Sequence, residues 1–250
     1  MTLLAIPTRR DEPWKYSDLD ALKSVWPLNP AERIVVPAGE AIARVIVQDA
    51  GPDAVAVKDI DIVLEQGATA TVHILNIGGK LGRVAIDVTL HEGAHFELGG
   101  VMLGGGEQTL EIVTTVNHIE PNATSNQVVR SVLGGKATGS YLGKVAVARD
   151  AQKTDAGQSV KAMLLTRTAT ANAKPELEIF ADDVKCAHGA TVGELDANAL
   201  FYLESRGIAP ADAKKLLLRA FVGSVFDGIE DEAEREAVEA AAQAALGRVL

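Results

Sequence analysis

From Ile34 to Val192 the chain consists of short β-branched runs that alternate apolar and polar residues and stop at glycine. Val55-Ala-Val57, Ile60-Asp-Ile62-Val-Leu64, Thr71-Val-His73-Ile-Leu75, Val84-Ala-Ile86-Asp-Val88-Thr-Leu90 and Leu110-Glu-Ile112-Val113 carry the period of two that sends successive side chains to opposite faces of a strand. Gly67, Gly78, Gly79, Gly93, Gly99, Gly100 and Gly104-Gly-Gly106 punctuate them. No segment here carries the 3.6-residue apolar stripe of an amphipathic helix, which argues against a sheet built from βαβ units. The region reads as all-β.

Periodicity alone leaves a sandwich and a stack of coils both open. One echo bears on the choice: Leu64-Glu-Gln-Gly67-Ala68 returns 26 residues later as Leu90-His-Glu-Gly93-Ala94. A fixed period of roughly 20–50 residues is the mark of stacked coils, each burying its face against the next. Asn126, Gln127, Gln158 and Asn172 suit the interior side-chain ladders of such a stack.

The flanks differ from this region. Residues 1–32 hold both tryptophans, Trp14 and Trp26, and four prolines, with room for one or two helical turns between Asp18 and Val25; they read as a short arm lying on something larger. After Val192 the period becomes helical. Asp196 caps a segment that Gly207 stops, and Pro210 opens a helix running to about Phe226. A last helix spans about Glu230 to Val249, its acidic start matched to the helix dipole. Ala233, Ala237, Ala240 and Ala244 form a small-residue stripe expected to let a neighbouring helix approach. The expected division is an arm at 1–32, a β core at 33–193 and a helical domain at 194–250.

The helix from Pro210 carries Leu216, Leu217, Leu218, Ala220, Phe221, Val222, Val225 and Phe226, an apolar set covering more than half its circumference. Such a helix either lies between two neighbours of its own chain or offers a docking face to another protein.

Charge and composition exclude several classes. The 34 acidic and 24 basic residues leave a net charge of −10, opposite to what a phosphate-backbone binder or an anionic-lipid surface requires, so neither nucleic acid nor membrane is an expected partner. No apolar run nears the ~18 residues of a membrane helix, and Met1 to Pro13 holds no signal-peptide block. The expectation is a cytoplasmic protein.

Chemistry concentrates at Cys186-Ala-His188. On a strand, side chains two apart share a face, so the single thiol and an imidazole project together, and both are ligands that iron, zinc and copper accept. Two ligands do not complete a site that normally takes about four, so any metal here is shared with a second polypeptide, bound transiently, or absent. Against this stands the structural reading, a small buried Cys and a hydrogen-bonded His. His91 and His95 lack helical HxxxH geometry, His73 reads as structural, and His118 fits a turn as well as a site. Gly104-Gly-Gly106 is followed by Glu, so it is no phosphate loop, and no serine has a GxSxG context.

Several strings resemble the SufB/SufD family of iron–sulfur cluster assembly proteins. They are Arg10-Asp-Glu-Pro-Trp14-Lys-Tyr-Ser-Asp-Leu19, Thr124-Ser-Asn-Gln127 with Arg130, Ala151-Gln-Lys-Thr154, Pro175-Glu-Leu-Glu-Ile179, Ala181-Asp-Asp-Val-Lys-Cys186-Ala-His-Gly-Ala-Thr-Val-Gly193 and Leu200-Phe-Tyr-Leu-Glu-Ser-Arg-Gly-Ile208. The segment Asp183–Gly193 followed by Phe201-Tyr-Leu203 is most similar to the SufD branch. The resemblance implies a right-handed parallel β-helix core with a short N-terminal arm and an α-helical C-terminal domain.

It also implies a non-catalytic scaffold that pairs with SufB through the β-helix and docks the ATPase SufC on its C-terminal helices. A transient iron–sulfur cluster would form at the shared interface, with His188 and, less directly, Cys186 as the residues concerned. SufC would meet Leu217, Phe221, Val222, Val225 and Phe226. ATP would enter only through SufC, and flavin is linked to the family's complex, with its contacts unmapped on this sequence. A homodimer of the isolated subunit and a β-solenoid enzyme acting on polysaccharide are the competing readings.

Overall fold

The computed structural model describes residues 5–250. Its core is made of β1 (Glu32–Val36), β2 (Ala41–Gln48), β3 (Val55–Leu64), β4 (Thr69–Asn76), β5 (Leu81–Leu90), β6 (His95–Gly104), β7 (Thr109–His118), β8 (Thr124–Leu133), β9 (Thr138–Val147), β10 (Asp155–Leu164), β11 (Thr170–Ile179) and β12 (Lys185–Gly193). The odd strands form one six-stranded sheet in the order β1-β3-β5-β7-β9-β11, and the even strands form the other, from β2 to β12. The pairings are parallel in both sheets. The chain thus alternates between two sheets and advances one strand in each per coil: a parallel β-helix, not a sandwich.

Inward residues of successive coils stack in columns. Val36, Leu64, Leu90, His118 and Val147 are successive register partners, as are Ile60, Ile86 and Thr114. Most of these positions are aliphatic and fully buried, which makes the interior one continuous apolar cluster.

The Leu64/Leu90 echo is a turn. Gly39, Gly67, Gly93, Asn122 and Lys153 all have positive φ, and each donates its backbone N–H to a carbonyl of the following coil, from Gln66, Glu92, Pro121, Gln152 and Asp183. Glycine fits this left-handed position without strain in the early coils, and asparagine tolerates it later.

The N-terminal arm carries α1 (Leu19–Leu22), capped by the Asp18 carboxylate, and seals Leu81 with Leu22, Trp14 and Trp26. At the other end lie α2 (Ala197–Ser205), α3 (Pro210–Gly223) and α4 (Glu232–Val249). Asp196 and Asp231 cap α2 and α4, and Gly207 sits at φ +86° beyond α2.

Helices α3 and α4 fold back on the outer face of the even-strand sheet, where Leu218, Val222, Val225, Phe226, Val238 and Leu246 meet Leu75, Val101, Leu103 and Val132. Burying each large side chain there contributes about 1.5–3 kcal/mol. Glycine permits the approach: a Cβ on Gly99 would stand 2.8 Å from the Val225 carbonyl oxygen, and one on Gly134 would stand 2.7 Å from that of Val249. Gly105 likewise faces Val249.

Two expectations are corrected here. The alanine stripe of Ala233, Ala237, Ala240 and Ala244 faces solvent; α4 buries Val238, Ala242, Ala245 and Leu246 instead, because the larger apolar surface turns inward. Asn126 and Asn172 stand outside the coil, bonded to Glu97 and Ser140, since they occupy the opposite strand parity from their inward neighbours Gln127 and Ala173.

Candidate functional site

The even-strand sheet ends at β12, which pairs with β10 on one side only. Cys186 is the register partner of Ala156, and His188 that of Gln158. Ala156 and Gln158 are buried in the coil, so Cys186 and His188 both point from the last strand toward the solenoid interior at its open end. The i, i+2 spacing thus puts thiol and imidazole on one face.

Their surroundings differ. Cys186 is half-buried against the apolar core, and that burial pushes its thiol pKa up; a hydrogen bond from Ala156 works against the shift, and the Asp155 carboxylate adds to it. His188 is exposed. Of the acidic pair before them, Asp183 is tied to Lys153 in an ion pair and donates its backbone N–H to Gln152, which holds it in the turn column. Among the described residues, no three His, Cys, Asp or Glu side chains gather as a metal site would require.

Behind His188 the interior turns polar. Val72, Leu98, Gln127, Gln158 and His188 are successive register partners on the even-strand sheet. Gln158 Nε2 donates to Tyr141 Oη at 3.3 Å, Tyr141 Oη donates to Gln127 Oε1 at 3.0 Å, and Thr114 Oγ1 donates to the same oxygen at 2.6 Å. Burial raises the Tyr141 pKa well above the ordinary phenol value, so it remains a neutral donor. Room for its ring comes from Gly143, where an added Cβ would overlap the Tyr141 phenol. Gln127 and Gln158 are legible from sequence as ladder residues; Tyr141 is less so. The available signal is Gly139-Ser-Tyr141-Leu-Gly143, an aromatic flanked at i±2 by glycines on its own face.

The remaining histidines are structural in their contacts. His91 Nδ1 lies 3.3 Å from Glu120, and His95 Nδ1 lies 2.7 Å from Thr124 Oγ1. His73 is buried beneath the turn after α3, close to Gly228. His118 is in a strand, not a turn: it is sealed in the coil with Nε2 2.9 Å from Ser125 Oγ.

Of the residues expected to receive a partner ATPase, Val222, Val225 and Phe226 are buried against this chain's own sheet and offer no outer surface. Leu217 and Phe221 are half-buried, and Arg130 lies over the Phe221 ring at 6.0 Å. The sandwiched-helix alternative therefore describes most of this apolar face. Leu216 stays exposed and borders a cleft of about 400 Å³ between α3 and α4, with Arg219, Glu239 and Gln243 on its walls. Phe201 and Tyr202 on α2 are also exposed.

Residues 26–221 match the protein family described as SUF system FeS cluster assembly, SufBD core domain. An iron–sulfur cluster assembly SufBD family protein of Synechocystis sp. is 38% identical over 156 residues, covering 62% of this chain and 34% of that protein. The iron–sulfur cluster assembly protein SufD of Escherichia coli is 32% identical over 179 residues, 71% of this chain and 42% of its own length. The chloroplastic protein ABCI7 of Arabidopsis thaliana is 37% identical over 157 residues, 61% of this chain and 33% of its own. The chain therefore spans well under half the length of these relatives. With a family match over most of the sequence and a parallel β-helix to carry it, this chain belongs to the SufB/SufD family of iron–sulfur cluster assembly proteins and is SufD-like.

Proposed function

We propose that the chain is a non-catalytic scaffold subunit in which a nascent iron–sulfur cluster is built at the open end of the β-helix, in a chamber shared with a SufB-like chain. The observation that supports it is the last coil. Cys186 and His188 project from one face of an edge strand, and two ligands fall short of the roughly four that an iron–sulfur cluster takes. The missing thiolates then come from across the edge. Both terminal strands, β11 and β12, leave one row of backbone groups unpaired, and Phe180 and Val192 lie exposed beside them. Such an edge invites pairing with another chain, and a second copy of this one pairs there when SufB is absent.

In this reading the cluster is cargo. Cys186 binds as thiolate after giving up its proton, and His188 binds through a neutral ring nitrogen. SufC docks on the helical segment 194–250, where Leu216, Leu217, Phe221, Phe201 and Tyr202 are the apolar groups within reach of a partner. ATP acts only through that subunit. The test is His188→Ala in the complex co-expressed with SufB and SufC. The complex should assemble normally while its iron and acid-labile sulfide fall severalfold; an unchanged cluster yield would overturn the reading.

A further inference from the structure

The even-strand column runs from hydrocarbon to amide to imidazole: Val72 and Leu98, then Gln127 and Gln158, then His188. With Gln127 Oε1 turned to the Thr114 and Tyr141 hydroxyls, the hydrogen bonds set which way the Gln158 amide faces. The Tyr141 hydroxyl has one proton and donates it to Gln127 Oε1, so toward Gln158 it can only accept, and the Gln158 amide nitrogen must be the atom that meets it. Reversing that carboxamide would set two lone pairs against each other. Thr114 braces the same Gln127 oxygen, which keeps the chain of donors running in one direction.

Two buried amide atoms of this column are left without a partner, the donor Gln127 Nε2 and the acceptor Gln158 Oε1, and Gln158 is the rung in register with His188. Gln158 is 4% exposed, and its Oε1 is buried without a hydrogen-bond partner. An orphaned buried amide oxygen costs on the order of 1–3 kcal/mol. The next rung in register, one strand spacing of about 4.8 Å away, is His188, whose neutral ring carries one N–H donor. Histidines that bind metal characteristically donate their second ring nitrogen to a fixed acceptor, which sets both tautomer and ring orientation.

We propose that Gln158 is the positioning residue for His188: its carboxamide oxygen accepts the imidazole N–H and leaves the other ring nitrogen, unprotonated, facing the open end of the solenoid. The inference rests on reading His188 as a ligand. It adds that the buried ladder of Thr114, Gln127, Tyr141 and Gln158 determines which nitrogen the cluster meets.

Long-range proton–nitrogen correlation spectra of the full chain, labelled with 15N-histidine and recorded at pH 8, test this directly, with His188→Ala supplying the assignment. In the native chain the two His188 nitrogens should show the widely split shifts of a single tautomer. In Gln158→Met, similar in length but without the acceptor, they should collapse toward the averaged values of a free exposed histidine, while His73 and His118 keep theirs and report an intact fold. Averaged His188 shifts in the native chain overturn the proposal without any variant, as does a split that survives Gln158→Met. If the split collapses as expected but His188→Ala leaves cluster yield untouched, the positioning contact stands and the ligand reading fails.

Discussion

Arg83 Nη1 and Glu111 Oε2 lie 2.6 Å apart on neighbouring strands, with both side chains all but sealed from solvent. The N-terminal arm makes the seal. The Trp14 ring covers the guanidinium at 3.8 Å, the Pro13 carbonyl accepts from Arg83 Nη1 at 2.9 Å, and Ser17 Oγ donates to Glu111 Oε2 at 2.8 Å. The Pro13-Trp14-Lys-Tyr-Ser17 string is thus a lid over a buried ion pair. Removing one partner from such a pair strands the other charge, so Glu111→Ala should cost about 3–5 kcal/mol in urea unfolding. Arg83→Met with Glu111→Leu should recover most of that loss. A cost below about 1 kcal/mol for Glu111→Ala would mean that the arm does not close over the pair.

Gly99 is one of the points where the returning helical segment comes close to the sheet. A Cβ there would stand 2.7 Å from the His73 ring and 2.8 Å from the Val225 carbonyl oxygen, and the second of these is backbone that cannot rotate away. Gly99→Ala should therefore destabilise the chain by about 1–3 kcal/mol and speed amide exchange in α3 ahead of the β core. Exchange that rises equally everywhere would show that the helices are not a separable layer.

Much of this was legible in the sequence, for identifiable reasons. Strands and caps carry local signatures: period-two runs such as Val84–Leu90, the Asp196 cap and the Gly207 stop all stand where the residues indicate. The co-facing of Cys186 and His188 needed only strand parity. What parity cannot reveal is which face of an element is inside. Asn126 suits an interior ladder as well as Gln127 does, and the alanine stripe of α4 suits a helix contact as well as Val238 and Ala242 do, so the sequence does not say which of them turns inward. The apolar face of α3 showed the same limit, because Val222, Val225 and Phe226 look alike whether they meet this chain's sheet or another protein. Tyr141 depends on Gly143 and on three other strands, contacts spread too widely for a short string to encode.

Cys186 should be a sluggish nucleophile. Burial raises its pKa, and the nearby Asp155 carboxylate adds to that rise, so little thiolate exists at neutral pH. Alkylation by iodoacetamide at pH 7.5 should run slower than for an unstructured cysteine peptide. Asp155→Asn should quicken it by about twofold, a modest change because the carboxylate is exposed and screened. A Cys186 that reacts faster than the peptide would show an activated thiol and contradict the burial argument.

His118 interrupts the aliphatic column of Val36, Leu64, Leu90 and Val147, and its fully buried ring is held neutral, with its pKa lowered from 6.5 to about 4 by burial. The unfolded chain takes up this proton below pH 6.5, whereas the folded chain resists it until about pH 4. Stability should therefore fall as pH drops through that window, by about 1.4 kcal/mol per unit at the steepest and about 3 kcal/mol in all. His73, also lowered by burial, acts in the same direction; Asp59, Asp87 and Glu97, raised by burial, favour the fold as pH falls. Comparison with His118→Gln separates the contribution, since glutamine offers Ser125 a partner but does not titrate. Urea midpoints from pH 7 to pH 4 should decline less steeply in the variant, and parallel curves would show that His118 protonates without resistance from the fold.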